Sequence, residues 1–410
     1  MDKGLPDPAL TFTIPSIQDG TVLDCRIYHP ASLSANPRSP AWTKHAAILA
    51  HPYAPLGGSY DDPVLEVIAA TLLRCGYLVA TFNFRGAGHS AGKTSWSAKP
   101  EREDYMSVVG FIVYYIHTLD PFKARKQCRL DNEDPAPTAS PTLLMAGYSY
   151  GAMVTMSIPP LTNILELFAT PESHAHAAQI RLRAESLAEQ QNDVLGDARA
   201  ALLQHRSPSS PTKRSIRIGG EEGSQSPRHS GDSFDRRSFS GDHEEGFRHS
   251  VHELLHKRKV LRHGLHLHKD KHGKRSHTPE QDNADGKLHA IVGLTVPKTA
   301  YLLVSPLQGI VPHLLALNLA TSAFTRSRHP EAQAAEDKLV ENHTLAIFGD
   351  TDVFVGITKL RSWEQRLRGQ DGSKFRGLEV ATGGHFWVEQ GVLVKATEAI
   401  KEFSAELLDM

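Results

Sequence analysis

The segment Leu143-Leu-Met-Ala-Gly-Tyr-Ser-Tyr-Gly-Ala-Met-Val154 combines the features of a strand, a tight turn and the start of a helix. Residues 142–146 are an apolar run suited to a buried strand, and residues 152–156 can begin a helix. Between them lies a G-x-S-x-G turn, in which the glycines let strand and helix pass closer than a Cβ permits. G-x-S-x-G also occurs in ordinary glycine turns, but the strand–turn–helix context favours Ser149 as a nucleophile.

The same turn and one earlier loop supply candidates for an oxyanion hole. The helix start places the backbone N–H of Tyr150 and the positive end of the helix dipole beside the serine. A second donor is expected in the loop after the predicted strand 46–50. Prolines in that loop have no N–H, so we predict Tyr53, with Ala54 as the alternative. We interpret His51, in the same loop, as a structural histidine that holds the loop's shape and not as a base.

Two later residues can activate the serine. A serine hydroxyl needs a base near neutral pH, and the base needs an orienting carboxylate. The apolar runs 344–348 and 378–381 are followed by Asp352 and His385, respectively. All three candidates lie just past the end of a predicted strand, which is where open α/β sheets place their sites. The sequence therefore predicts Ser149 as nucleophile, His385 as base and Asp352 as orienting acid.

Composition bounds the class of protein. The chain has 410 residues, of which 40% are hydrophobic, enough for one large domain or two. It shows no N-terminal secretory pattern and no uninterrupted apolar run of about 18 residues. The three cysteines, Cys25, Cys75 and Cys128, are an odd number in unrelated contexts, which fits reduced thiols. We therefore predict a cytoplasmic protein.

A G-x-G sequence follows Arg85, but it has neither the third glycine of a dinucleotide loop nor the G-K-[ST] of a P-loop. We therefore interpret this arginine as tied into the fold.

The remaining periodic segments form an alternating pattern of strands and helices. The further predicted strands are 11–14, 22–28, 77–81 and 299–304, and the predicted helices are 62–75, 101–117, 164–204, 361–368 and 385–408.

Three motifs together resemble the α/β-hydrolase superfamily, in particular its small esterase-like members. They are His51-Pro-Tyr-Ala-Pro-Leu-Gly-Gly58, Asn83-Phe-Arg-Gly-Ala-Gly-His-Ser90 and Gly147-Tyr-Ser-Tyr-Gly151. The order serine, aspartate, histidine is also that of the superfamily. The family pattern G-x-x-D-x-x-V matches residues 349–355, which favours Asp352 over Asp350 as the acid.

The resemblance implies an α/β-hydrolase fold with a mostly parallel eight-stranded sheet flanked by helices. It also implies hydrolysis of an ester, a thioester or an amide. The related dienelactone hydrolases use a cysteine nucleophile, and Ser149 argues against that chemistry.

The chain divides on composition into four segments. Residues 8–160 and 291–408 are the two parts of the hydrolase core, and residues 161–204 are a helical excursion. Residues 205–290 form an insertion rich in Ser, His and basic residues, and we predict disorder because apolar residues are too sparse to offset the ordering entropy. The insertion carries a net charge of +5, against −6 for the rest. The second core part contains the apolar segment 307–324. Its composition fits a cap-like element and a core helix equally well.

Two features of the insertion have competing interpretations. His252-Glu-Leu-Leu-His256 matches the zinc motif H-E-x-x-H, but its low-complexity surroundings argue against a metalloprotease site, and we assign no metal. The basic stretch 254–275 favours a solvated tether over a membrane-binding, nucleic-acid-binding or nuclear-import segment. Kinases are expected partners, with Ser207, Ser210, Ser226, Ser238 and Thr278 as candidate phosphorylation sites.

These patterns predict a serine hydrolase that cleaves a carboxylic ester or thioester through an acyl-enzyme, without a cofactor. The alternatives are a serine peptidase or amidase on the same fold, and a hydrolase-like scaffold whose insertion mediates regulated interactions. The expected partner at the site is a small ester or acyl substrate. The sequence leaves the acyl chain length and the oligomeric state open. The pocket candidates are Leu56, Tyr148, Leu307, Ile310 and Phe386.

Overall fold

A computed structural model of the chain describes residues 4–95, 97–122, 140–204, 286–307 and 330–410. Almost all of these residues belong to one compact unit, formed by residues 1–197 and 280–410. Most of the predicted insertion lies outside the described residues, including the H-E-x-x-H sequence, the basic stretch and the candidate phosphorylation sites. The apolar segment 307–324 also lies outside them, except for Leu307.

The described residues form one eight-stranded sheet in the order β1-β2-β4-β3-β5-β6-β7-β8. β2 runs antiparallel to β1 and β4, and the other neighbouring strands are parallel. The predicted mostly parallel sheet of an α/β-hydrolase fold is therefore confirmed. The strands are β1 Leu10–Pro15, β2 Val22–Tyr28, β3 Ala46–Ala50, β4 Leu78–Phe82, β5 Thr142–Tyr148, β6 Lys298–Val304, β7 His343–Gly349 and β8 Phe375–Val380.

Helices cover both faces of this sheet. Central strands such as β3 are buried along their whole length, and successive side chains alternate between two apolar layers. One layer is closed mainly by α1 and α8, and the other by the helices between them in sequence. The helices are α1 Pro63–Arg74, α2 Lys99–Thr118, α3 Tyr150–Ser157, α4 Leu161–Ala169, α5 His176–Gln204, α6 Pro330–Glu341, α7 Ile357–Arg368 and α8 Val392–Leu408.

The predicted start of the last helix, at residue 385, was wrong. Residues 385–391 form a loop, and α8 begins only after Gly391, whose φ of 79° ends the preceding turn. The predicted helical stretch 164–204 is two helices, because α4 ends at Ala169 and Pro171 follows in the connection to α5. The docking face of α8 is as predicted: Ile400 and Phe403 are buried in the apolar layer.

No single helix within the described ranges has the length and hydropathy needed to cross a bilayer. α3 and α4 have that length and hydropathy only when they are counted together, and the chain bends by 72° between them.

Candidate active site

The turn between β5 and α3 has a strained backbone that only its two glycines allow. Ser149 has φ 57° and ψ −114°, a conformation that is rare for a residue with a side chain. A Cβ on Gly147 would lie 2.3 Å from the carbonyl carbon of Gly151, and one on Gly151 would lie 2.1 Å from the carbonyl oxygen of Ala50. The N–H of Ser149 donates to the carbonyl of Val304 at 2.8 Å, which holds the turn against β6.

The structure brings the three sequence-predicted side chains into one hydrogen-bonded row. The Oγ of Ser149 lies 2.7 Å from Nε2 of His385, and Nδ1 of His385 lies 2.7 Å from Oδ2 of Asp352. The serine and histidine are 6% and 3% exposed, and the aspartate side chain is 1% exposed, so water does not compete for these contacts. A neutral imidazole in this position donates from Nδ1 and accepts at Nε2.

The loop after β7 fixes which carboxylate reaches the imidazole. The Oδ1 atom of Asp352 accepts from the backbone N–H groups of Phe354 and Val355, at 2.8 and 3.1 Å, which leaves Oδ2 for His385. Asp350 points elsewhere, because its Oδ1 accepts from the N–H of Thr382 at 2.7 Å. Asp350 therefore joins two loops, and Asp352 orients the histidine.

Several residues around His385 carry contacts that no sequence motif indicated. The Tyr148 hydroxyl donates to the backbone carbonyl of His385 at 2.8 Å, and burial raises the pKa of this phenol. The ring of Phe354 meets the imidazole edge-on, with 4.5 Å between centroids. The indole N–H of Trp387 donates to Oγ of Ser305 at 3.0 Å, which anchors the histidine loop to the end of β6. Only proximity to a motif could have identified these residues.

The expected oxyanion donors lie on adjoining segments. Tyr150 is the first residue of α3, and Tyr53 precedes a short 3₁₀ turn after β3. Their rings pack at a centroid distance of 5.1 Å, so the two segments meet beside the serine. Among the described residues, neither backbone N–H has a hydrogen-bond acceptor. Both groups are therefore free to donate to a bound oxygen.

His51 is fully buried and serves the shape of the loop. Its Nε2 accepts from the N–H of Phe84 at 2.9 Å, and its Nδ1 donates to the carbonyl of Pro52 at 2.6 Å. Burial lowers its pKa to about 4, so the ring stays neutral near pH 7. Both nitrogens are occupied by backbone groups, and the ring has no free nitrogen for a serine.

Arg85 is likewise tied into the fold. It pairs with the fully buried Asp104, with Nη2 2.6 Å from Oδ1, and with Asp19 at 2.8 Å. Its hydrogen bonds lower the pKa of Asp19 to about 2. The glycine-rich turn after β4 is thus anchored to the turn between β1 and β2.

The pocket candidates have different environments. Leu56 and Phe386 are 72% and 55% exposed, whereas Tyr148 and Leu307 are buried. Ile310 lies outside the described residues. Contact of these five side chains with a substrate stays a prediction. Within the described ranges, no three His, Cys, Asp or Glu side chains are placed to hold a metal ion.

Comparison with known proteins finds one family model and several solved structures that are similar to this chain. Residues 19–213 match the model of the X-Pro dipeptidyl-peptidase (S15) family. No curated protein matches the sequence. Similar solved structures include an alpha-beta serine hydrolase homologue from Coxiella burnetii, at 12% identity over 97% of this chain and 98% of that one, with a TM-score of 0.42.

Two further solved structures are similar at the same level. XC6422 from Xanthomonas campestris, a serine hydrolase without a lid, is 14% identical over 100% of this chain and 99% of its own, with a TM-score of 0.44. Est1E from Butyrivibrio proteoclasticus, with ferulic acid bound, is 12% identical over 97% and 100%, with a TM-score of 0.43.

The fold is identified from the chain's own architecture. The sheet has eight strands with only β2 reversed, and a serine in a strained backbone conformation sits on the turn after β5. An aspartate follows β7 and a histidine follows β8. These features match the order and placement described for the superfamily. The described residues therefore have the α/β-hydrolase fold.

Proposed function

We propose that this protein is a serine hydrolase that cleaves a carboxylic ester or thioester through an acyl-enzyme. The supporting observation is the unbroken row from Ser149 through His385 to Asp352, with both contacts at 2.7 Å and all three side chains withdrawn from water. A scaffold without activity has no need of this geometry. The strained conformation of Ser149 also fits a functional site better than a structural one.

The reaction follows from these contacts. His385 removes the proton of Ser149 as the serine oxygen attacks the substrate carbonyl, and Asp352 stabilises the imidazolium that forms. The N–H groups of Tyr53 and Tyr150 donate to the oxyanion of the tetrahedral intermediate, each contributing about 3 kcal/mol. The intermediate collapses, His385 protonates the leaving alcohol or thiol, and an acyl-serine remains. Water, activated by the same imidazole, then releases the acid.

A peptidase is the second candidate, because residues 19–213 match the S15 peptidase family. The same side chains attack an ester or an amide, and the pocket decides between them. A peptide substrate would require His385 to protonate an amine leaving group.

Labelling with a fluorophosphonate tests the proposed nucleophile. We expect wild type to be labelled and Ser149→Ala to be unlabelled, with kcat reduced by roughly 10⁴-fold or more. Ser362→Ala is the matched control, because this serine is exposed on α7 and away from the elbow. Labelling or wild-type turnover in folded Ser149→Ala would refute the proposal.

A substrate panel separates the two candidates. Hydrolysis of p-nitrophenyl acyl esters without cleavage of Gly-Pro-p-nitroanilide supports the esterase. The reverse result supports the peptidase, and both outcomes require the same serine.

A further inference from the structure

Tyr148, the last residue of β5, directly precedes the serine and also contacts the base. Its side chain is buried and packs in the same apolar layer as Trp387. The phenol hydroxyl lies 2.8 Å from the backbone carbonyl oxygen of His385. The two rings are tilted by 30° to each other, with 6.0 Å between their centroids. The phenol of Tyr148 is therefore directed at the main chain of the base.

The hydroxyl supplies a hydrogen bond that the backbone does not. His385 lies in a loop, and within the described ranges no backbone N–H donates to its carbonyl oxygen. Burial, followed by the charges of Asp62 and Asp352, raises the pKa of the phenol, so the hydroxyl keeps its proton near pH 7. A protonated phenol can donate to a carbonyl, which can only accept. The carbonyl of the buried His385 is thus satisfied by Tyr148.

This contact couples the base to the nucleophile. Consecutive Cα atoms are about 3.8 Å apart, so a shift of the end of β5 moves Tyr148 and Ser149 together. The main chain of His385 follows through the phenol, which preserves the 2.7 Å contact between its Nε2 and the serine Oγ. The carboxylate of Asp352 holds the ring at Nδ1. Tyr148 and Asp352 therefore constrain the histidine at two points, the main chain and the ring.

The loop that carries the histidine has other anchors as well. The indole N–H of Trp387 donates to Oγ of Ser305 at 3.0 Å, and the N–H of Gly384 donates to the carboxylate of Glu389 at 3.1 Å. Trp387 and Ser305 both have a positive φ, of 57° and 46°, which persists only where the surrounding structure holds it. Loss of the phenol hydroxyl should therefore displace His385 without unfolding the loop.

We propose that Tyr148 is a positioning residue for the hydrolysis, and that it acts through the main chain of His385 and not on the substrate. Its hydroxyl keeps Nε2 aligned with the serine oxygen while the proton moves between them. Such alignment matters because a misplacement of about 1 Å can cost on the order of 10²-fold in rate. The inference rests on the proposed function, since it requires that His385 takes up the proton of Ser149.

Tyr148→Phe tests this role, because it removes the hydroxyl and keeps the ring. We expect kcat on a p-nitrophenyl acyl ester to fall about tenfold with KM unchanged, since the lost alignment acts in the transition state and Asp352 still holds the ring. The second-order rate constant of fluorophosphonate labelling should fall by a similar factor.

Tyr77→Phe is the matched control. The hydroxyl of Tyr77 also donates to a backbone carbonyl, that of Ser404 at 3.1 Å, and this tyrosine is fully buried. It precedes β4 and therefore lies at the edge of the sheet opposite the serine. Both variants should lower the urea midpoint by similar amounts, but only Tyr148→Phe should lower kcat.

The outcomes separate this role from its alternatives. A raised KM with unchanged kcat would show that the hydroxyl binds substrate, and equal labelling rates for Tyr148→Phe and wild type would show that it does not position the base. Either result overturns the role and leaves the proposed function standing. An equal loss of kcat in Tyr77→Phe would also overturn it, because the loss would then follow stability. Absence of labelling at Ser149 in wild type would refute the proposed function and this inference together.

Discussion

Acidification should unfold the protein partly through His51, the buried histidine of the loop after β3. Both ring nitrogens contact backbone groups, and burial holds the pKa at about 4, against 6.5 for an exposed histidine. Because the folded pKa is lowered, the unfolded chain takes up the proton first. The stability from the neutral ring is complete above pH 6.5 and is lost as the pH falls from 6.5 towards 4.

The size of the effect follows from the pKa difference. A difference of about 2.5 units corresponds to roughly 3 kcal/mol over the whole range, and about 2 kcal/mol of it is lost by pH 5. Other buried histidines add to the slope, since burial also lowers the pKa of His29 to about 4. The contribution of His51 is therefore measured as a difference between wild type and a variant that cannot titrate there.

Urea unfolding of wild type and His51→Gln at pH 7, 6 and 5 provides that difference. At pH 7 the variant should be about 1 kcal/mol less stable, because glutamine retains an acceptor for Phe84 and loses the donor to Pro52. Between pH 7 and 5 the gap should close and then reverse, since only wild type loses the 2 kcal/mol. Exposed His89→Gln is the control and should follow wild type. Parallel curves for wild type and His51→Gln would show that burial does not suppress protonation.

Three further changes test the elbow, the acid and the buried ion pair. Gly151→Ala should abolish folding or activity, because its Cβ would lie 2.1 Å from a backbone oxygen, whereas Gly356→Ala, with open space around it, should be neutral by thermal unfolding and turnover. Asp352→Asn should reduce kcat about 10⁴-fold with the fold intact, while Asp350→Asn, whose carboxylate accepts from the backbone N–H of Thr382, should change kcat less than tenfold. Arg85→Met leaves a fully buried carboxylate unpaired and should lower the free energy of unfolding by about 3–5 kcal/mol in urea.

The strands that the sequence predicted well are those buried on both faces. Residues 46–50 and 142–146 are continuous apolar runs, and helices cover both sides of β3 and β5. β8 was placed too late, at 378–381, because it lies at the edge of the sheet and alternates charged with apolar residues. Arg376 on this strand pairs with Glu406 of α8, so part of its outer face is satisfied by ion pairs.

The predicted site residues were those with a local pattern around them. Ser149, Asp352 and His385 each follow a strand and carry a glycine-containing motif, and these signals are short-range. The supporting contacts have no such pattern. The Trp387–Ser305 hydrogen bond joins residues 82 positions apart, and its geometry depends on a φ of 57° at the tryptophan. Long-range pairs of this kind depend on tertiary packing, which neither propensity nor spacing encodes.

The sheet order also sets when the site can form during synthesis. Ser149 and His385 are 236 residues apart, which at about 5–20 residues per second separates their translation by roughly ten to fifty seconds. β5 borders β3 on one side, but its other neighbour, β6, begins only at Lys298. Until then the nascent chain exposes an unpaired, apolar strand edge, the feature most prone to intermolecular pairing. The long interval between β5 and β6 therefore increases the need for cellular folding assistance, and the serine stays without its imidazole until His385 has been made.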